Sequence, residues 1–123
     1  MERIINLTQH PATPEQIAEG VFDLEGEKLQ RLKKLLTFDE LPCPKTLSER
    51  AGEITKIAIE TDADLAMIGG APYFMRYLEW ELDKAMITAL YSFSRRESIE
   101  EKLPDGTVKK FSIFKHIGFV GWD

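Results

Sequence analysis

One cysteine, Cys43, stands in 123 residues. It leaves no second thiol for an intramolecular disulfide and fits a reducing, cytoplasmic setting. Only two histidines accompany it, a thin supply for a Cys/His zinc site, so neither a metal nor another cofactor is expected. No apolar run nears the roughly 20 residues of a membrane-spanning helix. The opening Met1-Glu2-Arg3-Ile4-Ile5-Asn6 turns strand-like at once, leaving no room for a secretory leader. Excess positive charge is missing too: 16 Lys and Arg face 21 Asp and Glu, a formal net charge of −5. A surface that tracks duplex DNA is normally basic, so DNA is not an expected partner. The imbalance is local, however. Residues 1–93 hold 10 basic and 16 acidic side chains, residues 94–123 hold 6 and 5. That distribution suits a compact anion held near Arg95-Arg96 better than a long polyanion.

What is present is a balance of 43% apolar and 30% charged residues in a chain of one-domain length. Ile4-Ile5-Asn6-Leu7 reads as a short buried strand. Thr13-Pro14-Glu15-Gln16 reads as a helix start with a capping box, closed by Gly20. Residues 21–24 suit either a second short strand or a hydrophobic tether. Leu29, Leu32, Leu35 and Leu36 mark an amphipathic helix over 27–37. After the breaker Leu41-Pro42-Cys43-Pro44, a longer helix is expected over 46–61, capped by Thr46 or Ser48. Leu65-Ala66-Met67-Ile68 has the length and continuous apolarity of a central strand. Phe74, Leu78, Leu82 and Met86 then predict a helix over 72–86, and residues 89–93 another strand, completing a βαβ unit. Pro104-Asp105-Gly106, between 98–103 and 107–114, predicts a hairpin; residues 114–120 end in a further strand-like stretch. The expected fold is one domain over 1–123: a small Rossmann-like, mostly parallel α/β sheet flanked by helices, with a C-terminal antiparallel hairpin edge.

Open parallel sheets bind ligands beyond the carboxyl ends of their strands. Three such ends are readable: Thr8, Gln9 and His10; Gly69, Gly70 and Ala71; Ser92, Ser94, Arg95 and Arg96. Gly69-Gly70 permits close backbone approach, and a helix beginning near Pro72 offers free N–H groups to a phosphate; the same glycines also suit a plain turn. Neither a dinucleotide fingerprint nor a P-loop is complete. Arginine forks bind phosphate bidentately, although Arg95 and Arg96 could equally pair with Glu97, Glu100 or Glu101. His10 has the chemistry of an acid, a base or a phosphate donor, or of a structural residue, and His116 is equally open. Tyr73, in the first turn after the glycines, is placed to stack on a base, whereas Phe74, Tyr77 and Trp80 belong to packing. Cys43 lacks the surroundings of a nucleophile.

Four stretches together resemble the small CRISPR-associated Rossmann-like accessory proteins of type III systems, which include ring nucleases and non-cleaving binders of cyclic oligoadenylate. These are residues 6–16 (Asn-Leu-Thr-Gln-His-Pro-Ala-Thr-Pro-Glu-Gln), Gly-Gly-Ala-Pro-Tyr at 69–73, residues 91–98 around Ser-Arg-Arg-Glu, and 103–119 with Pro-Asp-Gly and Phe-Lys-His. Their shared order carries the resemblance. It implies a homodimer that binds a cyclic oligoadenylate across a two-fold axis and cleaves it without metal, the ribose 2′-hydroxyl attacking the adjacent phosphate. His10 would then serve as acid or base, Arg95 or Arg96 would stabilise the phosphorane, and the amides of residues 69–71 would hold phosphate. Two other functions fit the same sequence: a sponge that sequesters a cyclic nucleotide, such as a cyclic oligoadenylate or a cyclic ADP-ribose isomer, and an interaction module using the hairpin over 97–114. The lysines and glutamates of that hairpin blunt an edge rather than invite a partner.

Overall fold

A computed structural model describes residues 2–121. The chain runs β1 (Ile4–Asn6), α1 (Pro14–Ala18), β2 (Val21–Asp23), α2 (Gly26–Leu36), α3 (Pro44–Glu60), β3 (Leu65–Ile68), α4 (Pro72–Lys84), β4 (Thr88–Lys102) and β5 (Val108–Val120). The strands form one sheet in the order β2-β1-β3-β4-β5. The first four are parallel, and β4 and β5 pair antiparallel. The expected α/β class, with its mostly parallel sheet and antiparallel hairpin edge, is what the chain forms.

Alternation along the short strands separates two apolar clusters. Ile5, Leu7, Ala66 and Ile68 point to one face, where α2, α3 and α4 cover them with Leu32, Leu36, Leu47, Ile54, Phe74, Leu78 and Leu82. Ile4, Val21, Leu65, Met67 and Leu90 point to the other and pack with Ala12 and Phe119. Burial on both faces explains why β1 and β3 read as continuous apolar runs rather than alternating ones.

Three local expectations need correction. Helix α3 begins at Pro44, with Cys43 at the N-cap and no side-chain cap, so neither Thr46 nor Ser48 caps it. Proline at the first helical position fixes the entry angle three residues earlier than a Thr46 cap would. Helix α4 stops at Lys84, and Met86 lies outside the helix, 86% exposed, with φ 61°. There Met86 N–H reaches Asp83 C=O and Ile87 N–H reaches Leu82 C=O, the paired bonds of a Schellman end; buried Ile87, not Met86, continues the core. Finally, β4 and β5 are longer than expected, spanning 15 and 13 residues. Arg95 and Arg96 therefore lie inside a ribbon rather than beyond a strand end. Of residues 21–24, which suit either a strand or a tether, Val21–Asp23 form the edge strand β2.

Candidate functional site

Strand order places a crevice between β1 and β3, because the connection after β1 leads to one side of the sheet and β3 lies on the other. The loops leaving these strands form its walls. Strand β4 pairs with β3 only over Thr88–Tyr91, so from Ser92 onward its inner edge opens onto the same space. The result is a cleft of about 620 Å³, within the range of about 300–1,000 Å³ usual for small-molecule sites.

The first wall is set by Asn6, 3% exposed at the end of β1. Its Nδ2 donates to the His10 carbonyl at 2.7 Å and to Asp23 Oδ1 at 2.8 Å. Its Oδ1 accepts from the Thr8 N–H at 2.9 Å and the Thr8 hydroxyl at 2.7 Å. Asp23 in turn accepts from the Ala12 N–H at 3.1 Å. One buried amide thus gives residues 8–12 their shape and brings Thr8, Gln9 and His10 to the cleft. Residues 8–11 also wall a smaller cavity of about 220 Å³ on their far side.

Gly69, Gly70 and Ala71 make the second wall. Gly70 has φ +151° and needs glycine for that conformation. Gly69 does not: a Cβ there would meet Thr8 Cγ2 at an ordinary 3.6 Å. Helix α4 follows with Ala71 at the N-cap, Pro72 in its first turn and no side-chain cap. Its positive end is left for a ligand or solvent to satisfy.

Tyr91, Ser92 and Ser94 of β4 and Gln16 of α1 add further polar groups to the lining, over a floor that includes Leu36, Met67, Ile68 and Phe74. Burial first, and the Glu79 carboxylate second, push the Tyr91 phenol up; it remains a neutral hydroxyl at neutral pH. Gln16 is 8% exposed and closes the capping box that the sequence predicts: its N–H donates to Thr13 Oγ1, and its Oε1 accepts from the Thr13 N–H. The other end of the same amide donates to Ser92 Oγ at 3.2 Å. Among the described residues, no Lys, Arg, Asp or Glu lines this cleft.

Eight expected site residues meet here: Thr8, Gln9, His10, Gly69, Gly70, Ala71, Ser92 and Ser94. Four do not line it. Tyr73 is half-exposed and sits edge-on to Phe38, ring centroids 5.7 Å apart. Arg95 is exposed and pairs with Glu97 at 3.3 Å. Arg96 is exposed opposite Phe114, on the ribbon face that Ser94 shares by the two-residue period of a strand. His116 is 6% exposed and stands behind Ser92, its Nδ1 2.6 Å from Ser92 Oγ and its Nε2 2.9 Å from Glu19 Oε1. Gln16, Tyr91 and Glu19 were not among the expected residues. Gln16 was legible as a cap, but its bond to Ser92 spans 76 positions and leaves no local signature.

Among the described residues, no three His, Cys, Asp or Glu side chains converge as a metal cluster. Among the same residues, no helix is long and apolar enough to cross a membrane. No curated protein and no solved structure matches the chain. The sequence model of one family matches residues 2–120, nearly the whole chain, which therefore belongs to the uncharacterized protein MJ1673 family.

Proposed function

We propose that the cleft binds a cyclic oligoadenylate messenger of type III CRISPR defence and cleaves it as a metal-independent ring nuclease. The observation that carries this reading is the meeting of Thr8, His10, Ser92 and Ser94 with the glycine loop and the uncapped start of α4 around one ligand-sized cleft. Hydroxyls and amides of this kind match ribose and base edges, and the positive end of α4 matches a phosphate. In the reaction, a ribose 2′-hydroxyl attacks the adjacent phosphorus, and the P–O5′ bond breaks to give a linear product with a 2′,3′-cyclic phosphate. The protein aligns the three atoms and stabilises the developing charge. His10 is the acid for the leaving oxygen. Arg96, on the ribbon face that leads away from Ser94, meets phosphates of a ring too large for the cleft alone.

The active species in this reading is a cytoplasmic homodimer, whose two clefts share one symmetric ring. Phe111 and Ile113, two residues apart on β5 and therefore on one face of the ribbon, are exposed apolar side chains, and they give two copies a surface on which to meet. A sponge that holds the ring uncut is favoured by one feature: among the described residues, no Lys or Arg lines the cleft. Incubation with cyclic tri-, tetra- and hexa-adenylate in EDTA, followed by chromatography and a thermal-shift measurement, separates the two. Linear products ending in a cyclic phosphate establish the nuclease. Stabilisation with the ring recovered intact establishes the sponge. Neither cleavage nor stabilisation with any ring sinks both.

A further inference from the structure

His116, expected to bind ligand, stands behind the cleft wall instead, and its surroundings give it a defined chemical state. Its side chain is 1% exposed, so it reaches the cleft only through Ser92. On its far side Nε2 meets Glu19 Oε1 at 2.9 Å. A carboxylate can only accept, so in the neutral ring the proton sits on Nε2 and Nδ1 carries the lone pair. Ser92 Oγ, 2.6 Å away, then donates its single proton to Nδ1.

Gln16 fixes the rest. Its Oε1 is held by the Thr13 N–H at 3.0 Å, which turns the NH₂ end toward Ser92 and makes Ser92 Oγ an acceptor from Gln16 at 3.2 Å. One Ser92 lone pair is thereby used and its proton is committed to His116. What remains to face the cleft is one lone pair. Ser92 thus offers an acceptor there, and phosphate oxygens, which are acceptors themselves, have nothing to bond to. A ligand hydroxyl does.

We propose that Ser92 is the cleft's proton acceptor for a ribose 2′-hydroxyl, with His116 and Glu19 as the positioning relay behind it; this rests on the ring-cleaving reading above. As the 2′-oxygen attacks phosphorus, its proton passes to Ser92 Oγ and the Ser92 proton passes to His116 Nδ1. The P–O5′ bond breaks and the 5′-oxygen takes a proton from protonated His10. The imidazolium that results donates from both nitrogens, to Ser92 and to the Glu19 carboxylate, which balances its charge.

The test uses the full chain and the ring that the wild type cuts, under single-turnover conditions in EDTA, with binding measured separately. Ser92→Ala should cut at least about 100-fold more slowly, the usual scale of a lost base, while holding the ring as tightly as the wild type within a few-fold. Ser92→Thr keeps the hydroxyl and should recover most of the rate, which a purely structural role would not require. Glu19→Gln should fall between them. In the wild type, nitrogen NMR of His116 at neutral pH should show the proton on Nε2, a readout independent of how any variant folds. Equal cutting by Ser92→Ala and wild type, or a proton on Nδ1, overturns the relay alone. A wild type that leaves every ring intact overturns the ring-cleaving reading and, with it, the step assigned to Ser92.

Discussion

The Asn6 side chain donates to the backbone carbonyl of His10 at 2.7 Å, so the histidine that faces the cleft is positioned by a residue that does not line it. The same NH₂ group also meets Asp23. Replacing it by an oxygen sets a carboxylate against a carbonyl and a second carboxylate. Asn6→Asp, although nearly isosteric, should therefore destabilise the fold at neutral pH by about 1–3 kcal/mol, the cost of leaving buried polar groups unpaired. Urea unfolding measures this. The loss should shrink in acid, where the new carboxyl becomes protonated and can donate. A wild-type midpoint for Asn6→Asp would remove Asn6 as the organiser of residues 8–12.

Much of this site was readable before the structure, for physical reasons that also explain what was not. The strand ends after Ile5 and Ile68 were legible because short apolar runs followed by polar or glycine-rich residues seldom have another use in an α/β chain. The capping box at Thr13 and Gln16 was legible because both partners lie three residues apart. The ribbon defeated the reading at Ser94-Arg95-Arg96, since a charged run interrupts apolar alternation. Yet a two-stranded edge needs only its ladder of hydrogen bonds to continue, and the pairing from Arg95 with Lys115 to Lys102 with Val108 supplies it. His116 was illegible for a different reason. The irregularity between Phe93 and Ser94 places His116 opposite Ser94, and such bulges re-aim side chains without a reliable sequence mark. Its partners Ser92 and Glu19 lie 24 and 97 positions away.

The two glycines of the second wall should separate fold from ligand. At Gly70, with φ +151°, an alanine is strained whatever the space, so Gly70→Ala should cost about 1–3 kcal/mol of stability. Gly69 has room, its would-be Cβ resting 3.6 Å from Thr8 Cγ2. Gly69→Ala should leave stability unchanged or raise it by about 0.4–1 kcal/mol, through the lower entropy of the unfolded chain. If a ligand phosphate approaches this backbone, Gly69→Ala should nevertheless weaken binding of a cyclic oligoadenylate at least about tenfold, since the added methyl occupies the approach. Calorimetric melting and equilibrium binding on the two variants decide it: unimpaired binding by Gly69→Ala means that no ligand closes on this loop.

Cys43 gives a prediction with a definite pH sign. Bonding from Thr46, its hydroxyl 3.4 Å from Sγ and its backbone N–H as well, holds the exposed thiol below its ordinary value. A lowered value means that thiolate forms at lower pH, so alkylation by iodoacetamide should reach half its maximal rate at a lower pH than for a free cysteine peptide. Thr46→Ala removes the hydroxyl and should move that midpoint upward while leaving the plateau nearly the same. Superimposable profiles for the two proteins would show that Thr46 does not tune the thiol.

The last prediction concerns the turn out of α4. Met86 occupies the left-handed position of a Schellman end with φ 61°, where glycine is the usual occupant because a Cβ clashes with the neighbouring carbonyl. Its side chain, 86% exposed, contributes little packing to set against that strain. The bonds from Met86 N–H to Asp83 and from Ile87 N–H to Leu82 are made by the backbone and survive a change of side chain. So does the burial of Leu82 and Ile87, which brackets the turn on its inner side. Met86→Gly should therefore stabilise the protein by up to about 1 kcal/mol, the relieved strain slightly exceeding the extra freedom that glycine gives the unfolded chain. Thermal melting should show a rise of a few degrees, since the scale for a domain of this length is about 4 °C per kcal/mol. A lower melting temperature would mean that unfolded-state entropy outweighs the strain at this turn.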